Sequence, residues 1–259
     1  MHDPFHGARL KVERAVQHIN DLQRLTQDFA DTHPHIVNID IDPDTGCDCL
    51  SIVPAEQLPD TLLLVLGDAI HNLRAAIDHA WFQCVTSDSK YRKFPARETR
   101  QGVKDAINGL KENAPEEIGR FVLDVVQPYR GGKGEHLYAL HNLDIEDKHS
   151  LLIAHRQYSL VRGLVAKDDR GEEFAIPDWL IAPPHAASQP FEGHDRFHIT
   201  HNGNAQMYVI FGEGMPLQGR SILPTLVNLA KLITYLIRRF ESILAASRAN
   251  SSPQSLPIK

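Results

Sequence analysis

The run His71, Asn72, Leu73, Arg74, Ala75, Ala76, Ile77, Asp78, His79 sets two imidazoles, a guanidinium, a carboxylate and an amide into a stretch that is otherwise apolar. Imidazoles exchange protons near neutral pH, and a guanidinium is a permanent planar donor fork for oxyanions. Together they suit proton transfer beside a phosphate or carboxylate. The frame recurs as His141, Asn142, Leu143, Asp144, Ile145, Glu146, Asp147, Lys148, His149, so both copies read HNLxxxxxH.

At about 100° per residue, with Asp68 at zero, Ala69, Leu73, Ala76, Ile77 and Ala80 fall between roughly 80° and 180° on one apolar side. By the same rule Arg74 lies at about 240°, Asp78 at about 280°, His71 at about 300°, His79 at about 20° and Asn72 at about 40°, forming a polar strip. A solvated surface face with an Arg74/Asp78 pair at i,i+4 would account for such a strip. Its composition points elsewhere: solvated faces are built from Lys and Glu, and this one carries His, Asn, Arg and Asp.

The spacing from Arg74 to His79, RxxxxH, resembles the HEPN superfamily, helical domains many of which are metal-independent ribonucleases. Gly67, Asp68, Ala69, Ile70, His71, Asn72, Leu73, Arg74 are similar to the GDxxHNLR frame of a bacterial protein family. The resemblance covers about one helix. It implies that Arg74 and His79 are the active pair, that the partner is RNA, that two copies meet in a homodimer, and that no cofactor is required. Many active members carry a polar residue directly after the Arg, where this chain has Ala75. Arg130 to His136 and Arg196 to His201 have similar spacing without a helical setting.

The chemistry assigns roles. Metal-free RNA cleavage needs a base for the 2'-hydroxyl proton and a cation for the phosphate, which His79 and Arg74 would supply. Asn72 could orient either group, Asp78 could position Arg74, and His71 lies mid-strip. Lys148 and His149 offer a second cation and proton carrier, or simply end a helix. Lys90, Tyr91, Arg92, Lys93 and Arg97, interleaved with Phe94, could track an RNA backbone and stack bases. The main rival is a metal-binding helical-bundle enzyme whose ligands are the i,i+3 pairs Asp68/His71 and His141/Asp144. A third reading is a catalytically silent interaction module.

The elements that must hold these groups follow from periodicity. Helices are expected at about 7–31, 59–86, 103–112, 115–126, 134–143 and 219–247, and a hairpin joins the Val37/Ile39/Ile41 alternation to that of Cys47, Cys49, Ser51 and Val53 through Pro43–Gly46. Strands are expected within a strand-rich part at about 150–215, around Leu151–Val165, Phe197–Thr200 and Met207–Phe211, with Pro183, Pro184 and Pro190 in a long loop between them. Gly131, Gly132 and Gly134 lack the phosphate-loop frame and read as a flexible lead-in to a helix. The expected fold is one α+β domain over 1–249, a HEPN-like helical bundle with a strand-rich insert and an early β-hairpin, followed by a disordered tail at 250–259.

Composition bounds the function classes. With 259 residues and a net charge of -6, the chain can bury a large core and has no general basic coat. Cys47, Cys49 and Cys84 make no disulfide framework, and neither a signal peptide nor an apolar run of about 18 residues is evident. The expected setting is cytoplasmic, away from membrane.

Overall fold

The computed structural model describes residues 3–32, 35–44, 46–54, 58–85, 92–110, 113–149, 155–181, 187–190 and 196–251. The class is α+β: α1 (His6–Asp31), β1 (His35–Ile41), β2 (Asp48–Pro54), α2 (Asp60–Phe82), α3 (Arg100–Asn108), α4 (Glu116–Arg120), α5 (Glu135–His149), β3 (His155–Asp168), β4 (Glu173–Ala175), β5 (Trp179–Ile181), β6 (Ala187–Pro190), β7 (Phe197–Phe211) and α6 (Ile222–Ser251). Two compact units form, Met1–Ile19 with Val65–Ile153 and Pro224–Lys259, and Asn20–Leu64 with Ala154–Leu223. The boundaries after Ile19 and Leu64 fall inside α1 and α2, where the sequence carries no linker.

The first unit is helical. Leu66, Ile70, Leu73, Ile77 and Trp81 of α2 are buried, and Phe94, Phe121 and Phe240 join Trp81 in an aromatic cluster. Trp81 and Phe94 meet edge to face at 5.8 Å between ring centroids, a favoured geometry for ring quadrupoles. α3 opens on Thr99, whose hydroxyl accepts the Gly102 amide, a capping bond that satisfies an otherwise orphan donor. α4 widens into a π-helical turn over Phe121–Val126 that ends on Gln127 at φ 55°. The glycines that follow serve packing: a Cβ on Gly134 would stand 2.4 Å from the Val126 carbonyl oxygen, and one on Gly132 2.3 Å from that of Gln127. A tight, backbone-bonded turn therefore leads into α5, where a flexible lead-in was expected.

The second unit is a pair of antiparallel sheets. β1 pairs with β2 and β2 with β6; β3 pairs with β7 along one edge and with β4 and β5 along the other. Leu50 and Ile52 of β2 pack with Val161, Leu164, Ala166, Ile176, Trp179 and Phe197 in one core. On β1 the alternating Val37 and Ile39 pack against this core while Ile41 is exposed. On β2 the core side is Leu50 and Ile52, the opposite face to the expected Cys47, Cys49 and Ser51 alternation. Buried Asp48 accepts the Phe197 amide at 2.9 Å and meets Arg196 at 3.4 Å.

Several boundaries move. α5 runs through the whole second HNL frame to His149 instead of stopping near 143, because no Gly or Pro intervenes. Phe197–Phe211 is one strand where two stretches were expected, and the supposed long loop after β3 holds β4, β5 and β6. α6 continues through residues 250 and 251 of the supposed tail; 252–259 lie outside the described residues, as do 86, 150–154, Pro183 and Pro184. Among the described residues no helix is long and apolar enough to cross a membrane.

Candidate functional site

The polar strip of α2 packs against α5, and the two HNL frames meet. His71 Nδ1 lies 2.9 Å from Asp144 Oδ1, and the other Asp144 oxygen accepts from Lys148 Nζ one turn further along α5. Toward the start of α2, a Cβ on Gly67 would fall 2.1 Å from Asp147 Oδ1. Contacts of 67 with 147 and 71 with 144 have nearly constant index sums, as antiparallel helices require. Arg74 and His141, each three residues on along this seam, complete the series, and their charges interact. The i,i+3 and i,i+4 spacings that place residues on one face are what align the two frames.

Arg74 is the surprise of the strip. Its side chain is 4 % exposed, Nη2 binds Asp78 Oδ1 at 2.7 Å and the Phe94 carbonyl at 3.1 Å, and Nη1 has no hydrogen-bond partner among the described residues. Asp78 Oδ1 also accepts the Phe94 amide at 2.8 Å. The pair thus clamps both main-chain polar groups of a residue whose ring is fully buried. Burial pulls the Arg74 guanidinium down and raises the Asp78 carboxyl, each partly offset by the other's charge.

Phe94 in turn fixes the basic segment. With its ring in the aromatic cluster, Lys93 and Arg97 project outward on either side, both exposed. Phe94 is therefore a core anchor, and the expectation that it stacks bases does not fit its burial. Arg92 lies over the Phe82 ring at 5.6 Å. Lys90 and Tyr91 lie outside the described residues. His141 is only partly exposed, and burial, then the charges of Arg74, Arg97 and Lys93, push its pKa down to about 4, against the opposing pull of Asp144. Arg74, Lys93, Arg97 and Lys148 thus interact with the carboxylates Asp78 and Asp144, and Asp147 and Asp68 add two more carboxylates further along the seam. Burial, the larger cause, disfavours charge of either sign, so only the part of the His141 shift that comes from the cations would also favour an anion.

Other strip residues face elsewhere. Asn72 is buried, donates to the Asp68 carbonyl at 2.8 Å and accepts from Lys11 Nζ of α1 at 3.1 Å. His79 is exposed and its Nδ1 lies 3.5 Å from where a Gly7 Cβ would stand, so it too is on the α1 side. Arg74 and His79 are about 140° apart around the helix and touch different neighbours. His149 is exposed at the end of α5, next to the level of Gly67. Counting about 1.5 Å per residue from Gly67 to His79 separates the two rings by about 18 Å along the seam. His71, His141, Arg74, Asp78, Asp144 and Lys148 are brought together; His79 and His149 are not joined to each other.

The metal-ligand alternative, Asp68, His71, His141 and Asp144, is not assembled as a set. His71 Nδ1 is taken up by Asp144, and Asp68 is exposed near Asp147. Among the described residues no group of three or more His, Cys, Asp or Glu side chains is gathered in a way that could hold a metal ion. Sequence reasoning missed the Lys11 bond to Asn72, the Phe94 main-chain clamp and the Gly67/Asp147 approach. Only the last had a signal, a glycine in mid-helix, which implies close approach of a neighbour.

In comparisons with protein-family models, curated proteins and solved structures, nothing matches the chain.

Proposed function

We propose that the α2/α5 seam is the active site of a metal-independent endoribonuclease of HEPN type, acting on single-stranded RNA in the cytoplasm as a homodimer. The observation that carries the reading is the His71–Asp144–Lys148 network across a seam on which His141 lies level with Arg74 and feels the charges of Lys93 and Arg97. Exposed Lys93 and Arg97 would grip the phosphate, while Arg74, ion-paired with Asp78, would hold the Phe94 segment that carries them. A neutral imidazole beside that phosphate is a proton acceptor, and none of these roles calls for a bound ion.

The test is binding and its salt dependence. The paired substitution Lys93→Ala with Arg97→Ala should weaken single-stranded RNA binding and flatten the slope of log affinity against log salt by about 0.7 per lost contact. Unchanged affinity and slope would remove RNA from this surface.

One observation favours a second reading. Arg74 and Asp78 are both engaged in holding the Phe94 main chain, which suffices for a silent module whose frames only join two helices. Loss of stability on substitution, with no cleavage by the wild type, would select it.

A further inference from the structure

Within the nuclease reading the base has been assumed to be the histidine of RxxxxH, yet His79 lies on the α1 side of α2 while the cations collect on the α5 side. We propose that His141 is the base and His71, oriented by Asp144, the acid of an RNA-cleaving pair. This inference rests on the endoribonuclease reading and assigns its proton carriers.

The geometry behind it is the seam itself. His71 and Arg74 stand three residues apart on α2, His141 and Asp144 three apart on α5, and the helices run antiparallel with His71 against Asp144. Each imidazole therefore has a fixed side. A carboxylate only accepts, so His71 Nδ1 carries the hydrogen and Nε2 is the nitrogen left for substrate. The His71 side chain is 49 % exposed, whereas Asp144, at 7 %, is held in place by His71 and Lys148 together. The register set by His71 and Asp144 puts His141 level with Arg74 and one turn before Asp144 on its own helix, and the charges of Lys93 and Arg97, from the segment that Phe94 anchors, reach it too. Burial first, and those cations second, keep its imidazole unprotonated, and the same cations would hold a phosphate beside it.

The step balances without a further reactant. The 2'-hydroxyl gives its proton to His141 as the O2'–P bond forms; the P–O5' bond breaks, and His71, entering protonated on both nitrogens, donates its Nε2 proton to the departing O5'. A 2',3'-cyclic phosphate and a free 5'-hydroxyl result. The imidazoles have exchanged protonation states, and exchange with water restores them. Asp144 is here a positioning residue.

A substrate whose bridging 5'-oxygen is replaced by sulfur separates the roles, since a thiolate leaves without being protonated. On an ordinary RNA dinucleotide, His71→Asn and His141→Asn should each lower kcat at least 100-fold while RNA binding stays within about threefold. On the sulfur substrate His71→Asn should regain most of its rate and His141→Asn should not. Asp144→Asn should also be partly restored on sulfur, which a merely structural role would not produce. Should one substitution unfold the chain, the wild type still decides: its kcat/KM should hold down to an acid limb near the His141 value of about 4, and a limb at pH 6 or above overturns the assignment. Cleavage that survives His141→Asn but not His79→Asn overturns it too and leaves the nuclease reading standing. A wild type that cleaves neither substrate overturns both.

Discussion

Removing the Asp78 carboxylate should destabilise the helical unit by about 3 kcal/mol. Asp78 Oδ1 takes Arg74 Nη2 at 2.7 Å and the Phe94 amide at 2.8 Å, and the arginine side chain is 4 % exposed. In Asp78→Ala the guanidinium keeps only the Phe94 carbonyl, and stranding one half of a buried ion pair costs about 3–5 kcal/mol. An unmade buried amide bond adds about 1–3 kcal/mol. Two effects act the other way: the carboxylate's own burial penalty disappears, and its side chain is 24 % exposed, so water can reach part of the gap. Urea unfolding followed by tryptophan fluorescence and circular dichroism reads the change through the midpoint at constant m. Asp78→Asn, which keeps an acceptor for Phe94, should lose less. The double variant Arg74→Met/Asp78→Ala should be more stable than Asp78→Ala, because no charge is left buried. A loss below about 1 kcal/mol in Asp78→Ala, or a double variant worse than it, would refute the claim that Arg74 is held as a desolvated cation.

The other predictions follow from the same contacts. Folded His141 takes its proton near pH 4 and an ordinary histidine near 6.5, so the unfolded chain binds more protons between those values; this contribution to stability is intact above pH 6.5 and is lost as pH falls toward 4. His141→Asn should remove that part of the acid slope in urea midpoints measured across the window, and an unchanged slope would contradict the burial argument. Gly67→Ala should fail to deliver the helix-propensity gain of up to about 1 kcal/mol, because Asp147 occupies the space; in an Asp147→Ala background the gain should appear in thermal melts. Burial pushes the Cys84 thiol up to about 12, so this cysteine should resist a maleimide at pH 8 in the folded protein and react once unfolded, as mass mapping would show.

What could be read from the sequence follows the range of each interaction. The apolar side of α2 was legible because Ala69, Leu73, Ala76, Ile77 and Ala80 repeat at helical spacing, and all are buried. The hairpin was legible because Val37 and Ile39 alternate with polar neighbours, and both pack on the sheet core. The wheel also set Arg74 on the polar side and implied exposure; the structure buries it, since the segment around Phe94 folds over that face from outside the helix. A wheel cannot foresee a neighbour that arrives sixteen or more residues later in the chain. The same limit split the strip: Lys11 and Gly7 of α1 claim Asn72 and His79, while α5 claims His71. The repeated HNL frame marked both helices as special, but that the frames pair antiparallel is a tertiary fact. Strand boundaries after β3 were blurred because short edge strands such as Glu173–Ala175 are too brief to show alternation.

The central claim is that the α2/α5 seam cleaves RNA through its own side chains, and the most direct measurement is end analysis of a cleaved oligonucleotide. Purified protein is incubated in excess chelator with a single-stranded RNA and with the same strand carrying 2'-deoxy sugars at the cleaved positions. The account predicts cyclic phosphate or 3'-phosphate ends from the first, no product from the second, and loss of cleavage in His141→Asn. Intact RNA, or cleavage of the deoxy strand leaving 5'-phosphate ends, would contradict it.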